Sequence, residues 1–113
     1  MPRIEPLDLT FSPEAKAWIR TFLAGITEYQ PTLTLMKGWT DDEHELRWTC
    51  GAYAPDNIAH VAPEVERCGY ALLYEVEDLT VAIPQFQYLP LLKGKMFDLR
   101  QRELVLVNRE RGI

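Results

Sequence analysis

The cysteines and histidines of this chain are the residues that could ligate a soft metal ion or carry out thiol chemistry: Cys50, Cys68, His44 and His60. Thiolates and imidazoles are the usual protein ligands of zinc, and thiolates also hold iron–sulfur clusters. Two thiols do not complete a four-coordinate site, and the 17 residues between the cysteines match no common zinc or cluster spacing. The four residues are therefore metal-ligand candidates without a motif that joins them.

The two cysteines are predicted to lie in different environments. Cys50 alternates with Leu46 and Trp48, so the three side chains share one face of a strand, and the simplest interpretation of Cys50 is a small core residue. Cys68 comes just before a segment starting near Gly69 and is predicted to be the more exposed and reactive thiol. Two alternatives stay open: the thiols bind a metal or cluster, within one chain or between subunits, or they form a redox pair.

His44 lies in the acidic segment 41–45, DDEHE, whereas His60 lies in a stretch that we expect to be irregular. Carboxylates and imidazole together can bind zinc or another divalent ion when they converge. Segment 41–45 is predicted to be a hairpin loop, where acidic residues are usually solvated. A solvated loop is therefore expected at His44, with a metal or partner contact as the alternative.

The sequence contains neither a serine in the setting of a hydrolase nucleophile nor a glycine-rich loop that would bind phosphate. Ser12 is the only serine, and its position before Pro13 indicates a helix cap rather than a nucleophile. The glycine between Lys93 and Lys95 is better interpreted as a strand turn than as a phosphate loop. No pair of carboxylates can be singled out for acid–base catalysis. The sequence thus predicts a protein that is not an enzyme and has no cofactor.

One amphipathic helix is predicted over residues 13–25. Ser12 can cap its first turn, Pro13 suits its first position, and Gly25 marks its end. Apolar residues follow the helical period at Ala15, Trp18, Ile19, Phe22, Leu23 and Ile26. Trp18 and Phe22 are predicted to lie in the core.

Beyond residue 31 the pattern is that of strands, at 32–36, 46–50, 70–76, 79–83, 95–99 and 103–107, in addition to one at 7–11. Segments 70–76 and 104–107 are apolar on both faces, which is typical of central strands. Residues 54–67 are expected to be irregular apart from one short helical turn, and 86–92 to form a short helical or 3₁₀ segment. The predicted fold class is α+β: one N-terminal helix packed on mixed or antiparallel sheets of about seven short strands, in one domain spanning 1–113.

The overall charge narrows the classes of partner. The chain of 113 residues has 12 basic and 17 acidic residues, a net charge of −5, which argues against a nucleic-acid-binding protein. It has no apolar run long enough to span a membrane and no segment typical of a secretory signal. Because two cysteines are too few for a disulfide scaffold, we expect a cytoplasmic protein with reduced thiols.

Two surface features are candidates for contact with an unknown protein partner or with another copy of the chain. The C-terminal part is basic, through Arg100, Arg102, Arg109 and Arg111, and could dock an acidic surface, although solvated strand faces explain the same pattern. The aromatic residues are numerous and mostly interpreted as core. Those predicted in loops, Trp39, Tyr53 and Phe86, could line a hydrophobic groove.

Four segments occur in an order that resembles the HesB-like family, the A-type iron–sulfur scaffolds. They are 9–15 (LTFSPEA), a strand entering a helix; 33–36 (LTLM), the next strand; 79–84 (LTVAIP), a buried strand entering a short turn of helix; and 92–99 (LKGKMFDL), similar to the family's L-x-G-x-x-I-D-Y. An apolar strand ending in Asn108 follows. The resemblance covers most of the chain except residues 38–69, and it implies a HesB-like fold.

The cluster ligands of that family have no counterpart here. Family members that carry a cluster have one cysteine in a loop after the second of these strands and a Cys-x-Cys pair after the last. In this chain, residues 37–42 read KGWTDD and residues 109–113 read RERGI. The sequence therefore predicts a binding or scaffold protein of HesB-like fold without a cluster. The alternative is an iron–sulfur or metal-binding protein that uses Cys50 and Cys68 in a different arrangement.

Overall fold

The computed structural model describes residues 2–39 and 46–109, and three α-helices lie in these ranges. Helix α1 spans Pro13–Ala24, α2 spans Pro55–Arg67, and the single-turn α3 spans Leu89–Leu92. A 3₁₀ turn, Phe86–Tyr88, leads directly into α3. The short helical segment expected over 86–92 is therefore present, whereas α2 replaces a stretch that was expected to be irregular.

Strands of the described ranges form two mixed sheets. The five-stranded sheet has the order β1-β5-β6-β3-β4 and the three-stranded sheet the order β2-β7-β8. Neighbours pair in parallel at β1–β5, β3–β6 and β2–β7, and antiparallel at the three hairpins β3–β4, β5–β6 and β7–β8. The strands are β1 (Ile4–Pro6), β2 (Leu9–Phe11), β3 (Thr32–Trp39), β4 (Leu46–Tyr53), β5 (Leu73–Val76), β6 (Leu79–Ala82), β7 (Lys95–Arg100) and β8 (Glu103–Asn108). The α+β class predicted from the sequence is confirmed.

The five-stranded sheet carries a core on each of its faces. The main cluster lies between the two sheets and α1, and includes Leu35, Val81 and Phe97, each fully buried. A second cluster lies under α2 and contains Ile58, Ala62, Val65, Leu72, Leu73 and Ala82. The doubly apolar pattern of 70–76 is explained by this arrangement, because β5 is covered on both sides.

Helix α1 begins as its sequence predicts. The Ser12 hydroxyl accepts a hydrogen bond from the Ala15 backbone N–H at 3.2 Å, and Pro13 occupies the first turn. Its buried line is Ala15 and Ile19, both with no exposed surface. The small side chain of Ala15 leaves room for the helix to approach the sheets closely.

The prediction that Trp18 and Phe22 lie in the core is wrong, because it overestimates the burial of their side chains. Both are only partly buried, and their rings stack on each other with centroids 5.7 Å apart along the flank of α1. Trp18 borders the main cluster, but Ile19 supplies the centre of the contact. An apolar stripe identifies a helix face, whereas the approach of the helix to the sheet decides which member of that stripe is central.

Helix α2 corrects the expectation for residues 54–67. Pro55 lies in the first turn, where no backbone N–H is needed, and the Asn57 side chain accepts a hydrogen bond from the Ala54 N–H at 3.0 Å. Pro63 removes one hydrogen bond to the carbonyl of Ala59, but both residues are exposed, so water can satisfy that carbonyl. The helix therefore tolerates Pro63, which by residue type alone is expected to interrupt it.

Strand β8 also departs from the sequence analysis. Segment 104–107 was expected to be a central strand, but β8 is at the edge of its sheet, and of these four residues only Leu104 is buried. The neighbouring element is β4 of the other sheet, to which β8 is linked by a 3.1 Å ion pair between Arg47 and Glu103. Partial cover from β4 explains why an edge strand retains apolar residues on both faces.

Candidate functional site

The structure distributes the metal-ligand candidates that it describes over two elements, β4 and α2. Cys50 lies in β4 and is half-buried, Cys68 is the capping residue at the C-terminal end of α2 and is exposed, and His60 is exposed on α2. His44 and the acidic segment 41–45 fall outside the described residues. Both cysteines are free thiols. Within ranges 2–39 and 46–109, no three His, Cys, Asp or Glu side chains are grouped to hold a metal ion.

Cys68 is the more exposed of the two thiols, as the sequence predicts, whereas Cys50 is only partly buried and is not a core residue. Cys50 borders the main core cluster, and burial raises the pKa of its thiol. Cys68 is exposed for a different reason from the predicted one, because it lies at the end of a helix rather than just before a strand. Thiolates are the reactive and metal-binding form, so the surroundings of Cys50 disfavour both roles at neutral pH.

The C-terminal arginines do not form one basic patch among the residues described. Arg100 and Arg102 lie at the turn between β7 and β8, whereas Arg109 follows the far end of β8. A six-residue strand is roughly 20 Å long, which separates the two ends. Arg109 also pairs with Asp8 at 2.7 Å and Arg100 with Asp98 at 3.2 Å. Arg111 lies outside the described residues.

A cleft of about 350 Å³ opens between β1 and α3, and we refer to it as the β1–α3 cleft. Its size lies at the lower end of the range of small-molecule sites. Its walls carry both apolar and polar groups, the latter including two tyrosine hydroxyls, one amide and two charged side chains. The lining residues are Glu5, Pro6, Leu7, Tyr70, Tyr74, Gln87, Leu89, Pro90 and Lys93.

The C-terminal end of α2 places Tyr70 at this cleft. Gly69 adopts a left-handed conformation with φ of 91°, and its N–H donates to the Glu66 carbonyl at 2.9 Å. The N–H of Tyr70 donates to the Val65 carbonyl at 3.3 Å, which completes a Schellman motif. The chain reverses at this point because glycine adopts the left-handed conformation without steric cost.

Tyr70 then stacks on Phe86, with the ring centroids 4.4 Å apart and the planes inclined by 17°. Tyr70 remains 42% exposed, so part of its ring is available to a ligand. Of the three aromatic residues predicted in loops, Phe86 starts the 3₁₀ turn and takes part in this pair. The prediction is wrong for the other two, because Trp39 ends β3 and Tyr53 ends β4, where Tyr53 packs beside the core cluster under α2. The side chain of Trp39 lies outside the described part of the structure.

Tyr74 lies deeper in the cleft and belongs to the main core cluster. Burial raises the pKa of its hydroxyl, and the negative charge of Glu5 raises it further. The hydroxyl therefore keeps its proton well above neutral pH and can donate a hydrogen bond. Tyr74 is a core residue, as most of the aromatic residues are expected to be, whereas Tyr70 is 42% exposed. Residue type alone does not separate a core position from a cleft wall.

The two charged residues that line the cleft differ in their partners. Glu5 pairs with Arg3 at 3.2 Å, and Arg3 also donates to the Gly69 carbonyl at 3.2 Å. Lys93 is exposed and makes no ion pair with any residue of the described ranges. The cleft therefore combines apolar and polar walls with a protonated hydroxyl, the Glu5 carboxylate and the Lys93 ammonium group.

Comparisons with protein-family models, with curated proteins and with solved structures gave no match for this chain. Among the helices of the described ranges, none has the length and apolar character required to cross a membrane.

Proposed function

We propose that this chain is a non-enzymatic binding protein of HesB-like fold, without an iron–sulfur cluster, whose ligand occupies the β1–α3 cleft. The observation that carries the proposal is the partly exposed Tyr70 ring in the wall of the cleft, where Leu7 and Leu89 also lie. Removing aromatic surface from water is favourable, so a ligand that covers the exposed part of this ring is stabilised. The HesB-like part of the proposal is supported by the four sequence segments and by the α+β class.

A neutral fluorescent probe tests the cleft. N-phenyl-1-naphthylamine is apolar and increases its emission when it leaves water. We expect saturable binding to the wild-type chain and a clear loss of affinity in Tyr70→Ala, because that change removes one wall. Tyr29→Ala is the matched control, since Tyr29 is also exposed, at 37%, and does not line the cleft. Equal affinities in the two variants, or no saturable binding to wild type, would contradict the proposal.

A metal analysis tests the absence of a cluster. The alternative function, a metal or cluster site using Cys50 and Cys68, requires bound iron or zinc in protein purified anaerobically. We expect a colourless protein with no stoichiometric iron, sulfide or zinc. A brown protein with stoichiometric iron and sulfide that loses its colour in Cys50→Ala would establish the alternative instead.

A further inference from the structure

We propose that residues 3–6, which we call the β1 strap, cover the inner wall of the β1–α3 cleft and move away from β5 when a ligand enters. This inference rests on the proposed function, because it concerns the control of access to the same cleft. The burial of the cleft lining, the anchoring of the two elements that border the cleft and the contacts of Arg3 support it.

The inner wall of the cleft is almost closed to solvent. Tyr74 lines the cleft but is only 4% exposed, and Leu89 is only 7% exposed, whereas Tyr70 at the rim keeps a large part of its ring in contact with water. In this closed conformation a ligand contacts the rim. It reaches Tyr74 and Leu89 only after one of the bordering elements has moved.

The two bordering elements differ in how firmly they are packed. In α3, Leu92 is fully buried and Leu89 nearly so, and both belong to the main core cluster. Moving α3 would expose both side chains, which is unfavourable. In β1, Ile4 is 51% exposed, Glu5 is partly buried and Pro6 is exposed. The strap can therefore leave its place without withdrawing a buried side chain of its own from the core.

The backbone pairing of β1 is also limited. It is a three-residue strand at the edge of its sheet, and it pairs in parallel with β5 alone. Pro6 has no backbone N–H to donate to a neighbouring strand. Segments near a chain terminus open unless contacts tie them down, and local opening is easiest where few buried contacts oppose it. The contacts that tie down the strap therefore decide how often it opens.

The C-terminal end of the strap is firmly anchored. The N–H of Leu7 donates to the Glu75 carbonyl at 3.1 Å, and the Leu7 side chain packs against the main core cluster. The carbonyl of Asp8 accepts a hydrogen bond from the Gly94 N–H at 2.8 Å, and its carboxylate pairs with Arg109 at 2.7 Å. These contacts make Leu7 and Asp8 the hinge about which the strap moves.

The N-terminal end of the strap is fastened by Arg3 at the surface. Its N–H donates to the Glu66 carboxylate at 2.7 Å, and its guanidinium donates to the Gly69 carbonyl at 3.2 Å. The guanidinium also pairs with Glu5 at 3.2 Å, and both of these side chains are almost half exposed. Because exposed ion pairs contribute little to stability, these contacts can be released readily. Arg3 is therefore the latch that fastens the strap to the end of α2.

Releasing this latch tests the proposal. When only the open state binds, the apparent affinity is reduced by the fraction of open molecules, so a change that favours opening increases the affinity. In Arg3→Ala we expect the affinity for the neutral probe N-phenyl-1-naphthylamine to rise about two- to fivefold, the range of an exposed ion pair. Arg20→Ala is the matched control and should bind like wild type, since Arg20 is exposed and paired with Asp78 but does not line the cleft.

Amide hydrogen exchange gives a second measurement that does not depend on a ligand. We expect the peptide containing residues 4–7 to exchange faster than peptides from the central strand β3, and to exchange faster still in Arg3→Ala while β3 is unchanged. If residues 4–7 exchange as slowly as β3 in both proteins, the strap does not open and the inference is wrong.

The two measurements together separate this inference from the proposed function. If exchange accelerates in Arg3→Ala but the affinity for the probe stays the same or falls, the strap does not control access, and the inference is wrong while the proposed function stands. If neither wild type nor Arg3→Ala binds the probe saturably, the proposed function fails, and control of access by the strap fails with it.

Discussion

Cys50 and Cys68 are free thiols in a binding protein without a cluster but ligands in the alternative metal or cluster protein. Their different exposure predicts different reactivity. We expect iodoacetamide at neutral pH to label Cys68 first and Cys50 slowly, because Cys50 is half-buried and burial raises its thiol pKa. Mass spectrometry of tryptic peptides over time gives the two rates. In guanidinium chloride the rates should become similar. Equally rapid labelling of the folded protein would contradict the partial burial of Cys50, and joint protection lost on adding a chelator would indicate a metal site.

Ile19 and Phe22 allow a direct comparison of a central and a flanking position on α1. Ile19→Ala should lower the free energy of unfolding by about 2–5 kcal/mol, because Ile19 is fully buried and its truncation leaves a cavity. Phe22→Ala should cost less, about 1–2 kcal/mol, because Phe22 is only partly buried and loses mainly its stacking on Trp18.

Urea denaturation of the two variants beside wild type measures this difference. From the sequence alone, Phe22 is predicted to be a core residue whose truncation costs about 3–5 kcal/mol. A Phe22 variant as unstable as the Ile19 variant would show that Phe22 is a core residue after all.

At the scale of elements, α1 is tied to the β5–β6 turn by a group of ion pairs. Glu77 lies in that turn with φ of 55°, forms an ion pair with Lys16, and accepts a hydrogen bond from the Phe11 N–H at 3.2 Å. Asp78 pairs with Lys16 at 3.2 Å and also with Arg20. These contacts join β2 and α1 to the β5–β6 turn, which is distant from both along the chain.

The same group predicts how stability depends on pH. The hydrogen bond from Lys16 lowers the pKa of both Glu77 and Asp78, and Glu77 together with Asp78 raises the pKa of Lys16. For the carboxylates, the stabilisation is complete above their unfolded pKa values near 4.5 and 3.8 and is lost as the pH falls through the lowered folded values. For Lys16, it is complete below 10.5 and is lost as the pH rises through the raised folded value.

We therefore expect the urea midpoint to fall on acidification below about pH 5, and Glu77→Gln to reduce that dependence. Glu75→Gln is the control, because Glu75 is exposed on the same hairpin and forms no ion pair with the residues described. An acid dependence that is unchanged in Glu77→Gln would show that other carboxylates dominate it.

At the scale of the whole molecule, the two sheets share the main core. Trp48 of the five-stranded sheet packs edge-to-face against Phe97 of the three-stranded sheet, with centroids 5.7 Å apart, and α1 covers the same cluster. We expect one cooperative unfolding transition, with coincident midpoints for tryptophan fluorescence and far-ultraviolet circular dichroism. The single domain over 1–113 stays a prediction until this is measured. Two separated transitions would mean that the sheets unfold as independent units.

Some of the fold follows from local patterns. The stripe from Ala15 to Leu23 and the cap at Ser12 specify α1, because helical period and capping are properties of neighbouring residues. Alternation and turn residues likewise locate the hairpins. Pro55 and Pro63 favour a break over residues 54–67, whereas the spacing of Ile58, Ala62 and Val65 is helical and agrees with α2. That signal was present in the sequence.

The amino-acid sequence by itself determined the α+β class and the start of α1, since both depend on short-range periodicity and chain punctuation. Only the tertiary structure decided that Ile19 rather than Phe22 is central, that β8 is an edge strand, and that Tyr70, Tyr74 and Lys93 line one cleft. Strand order and helix approach depend on contacts between residues far apart along the chain. The spacing of residue types within a segment does not contain that information, so a cleft built from three separate segments becomes visible only after they have packed.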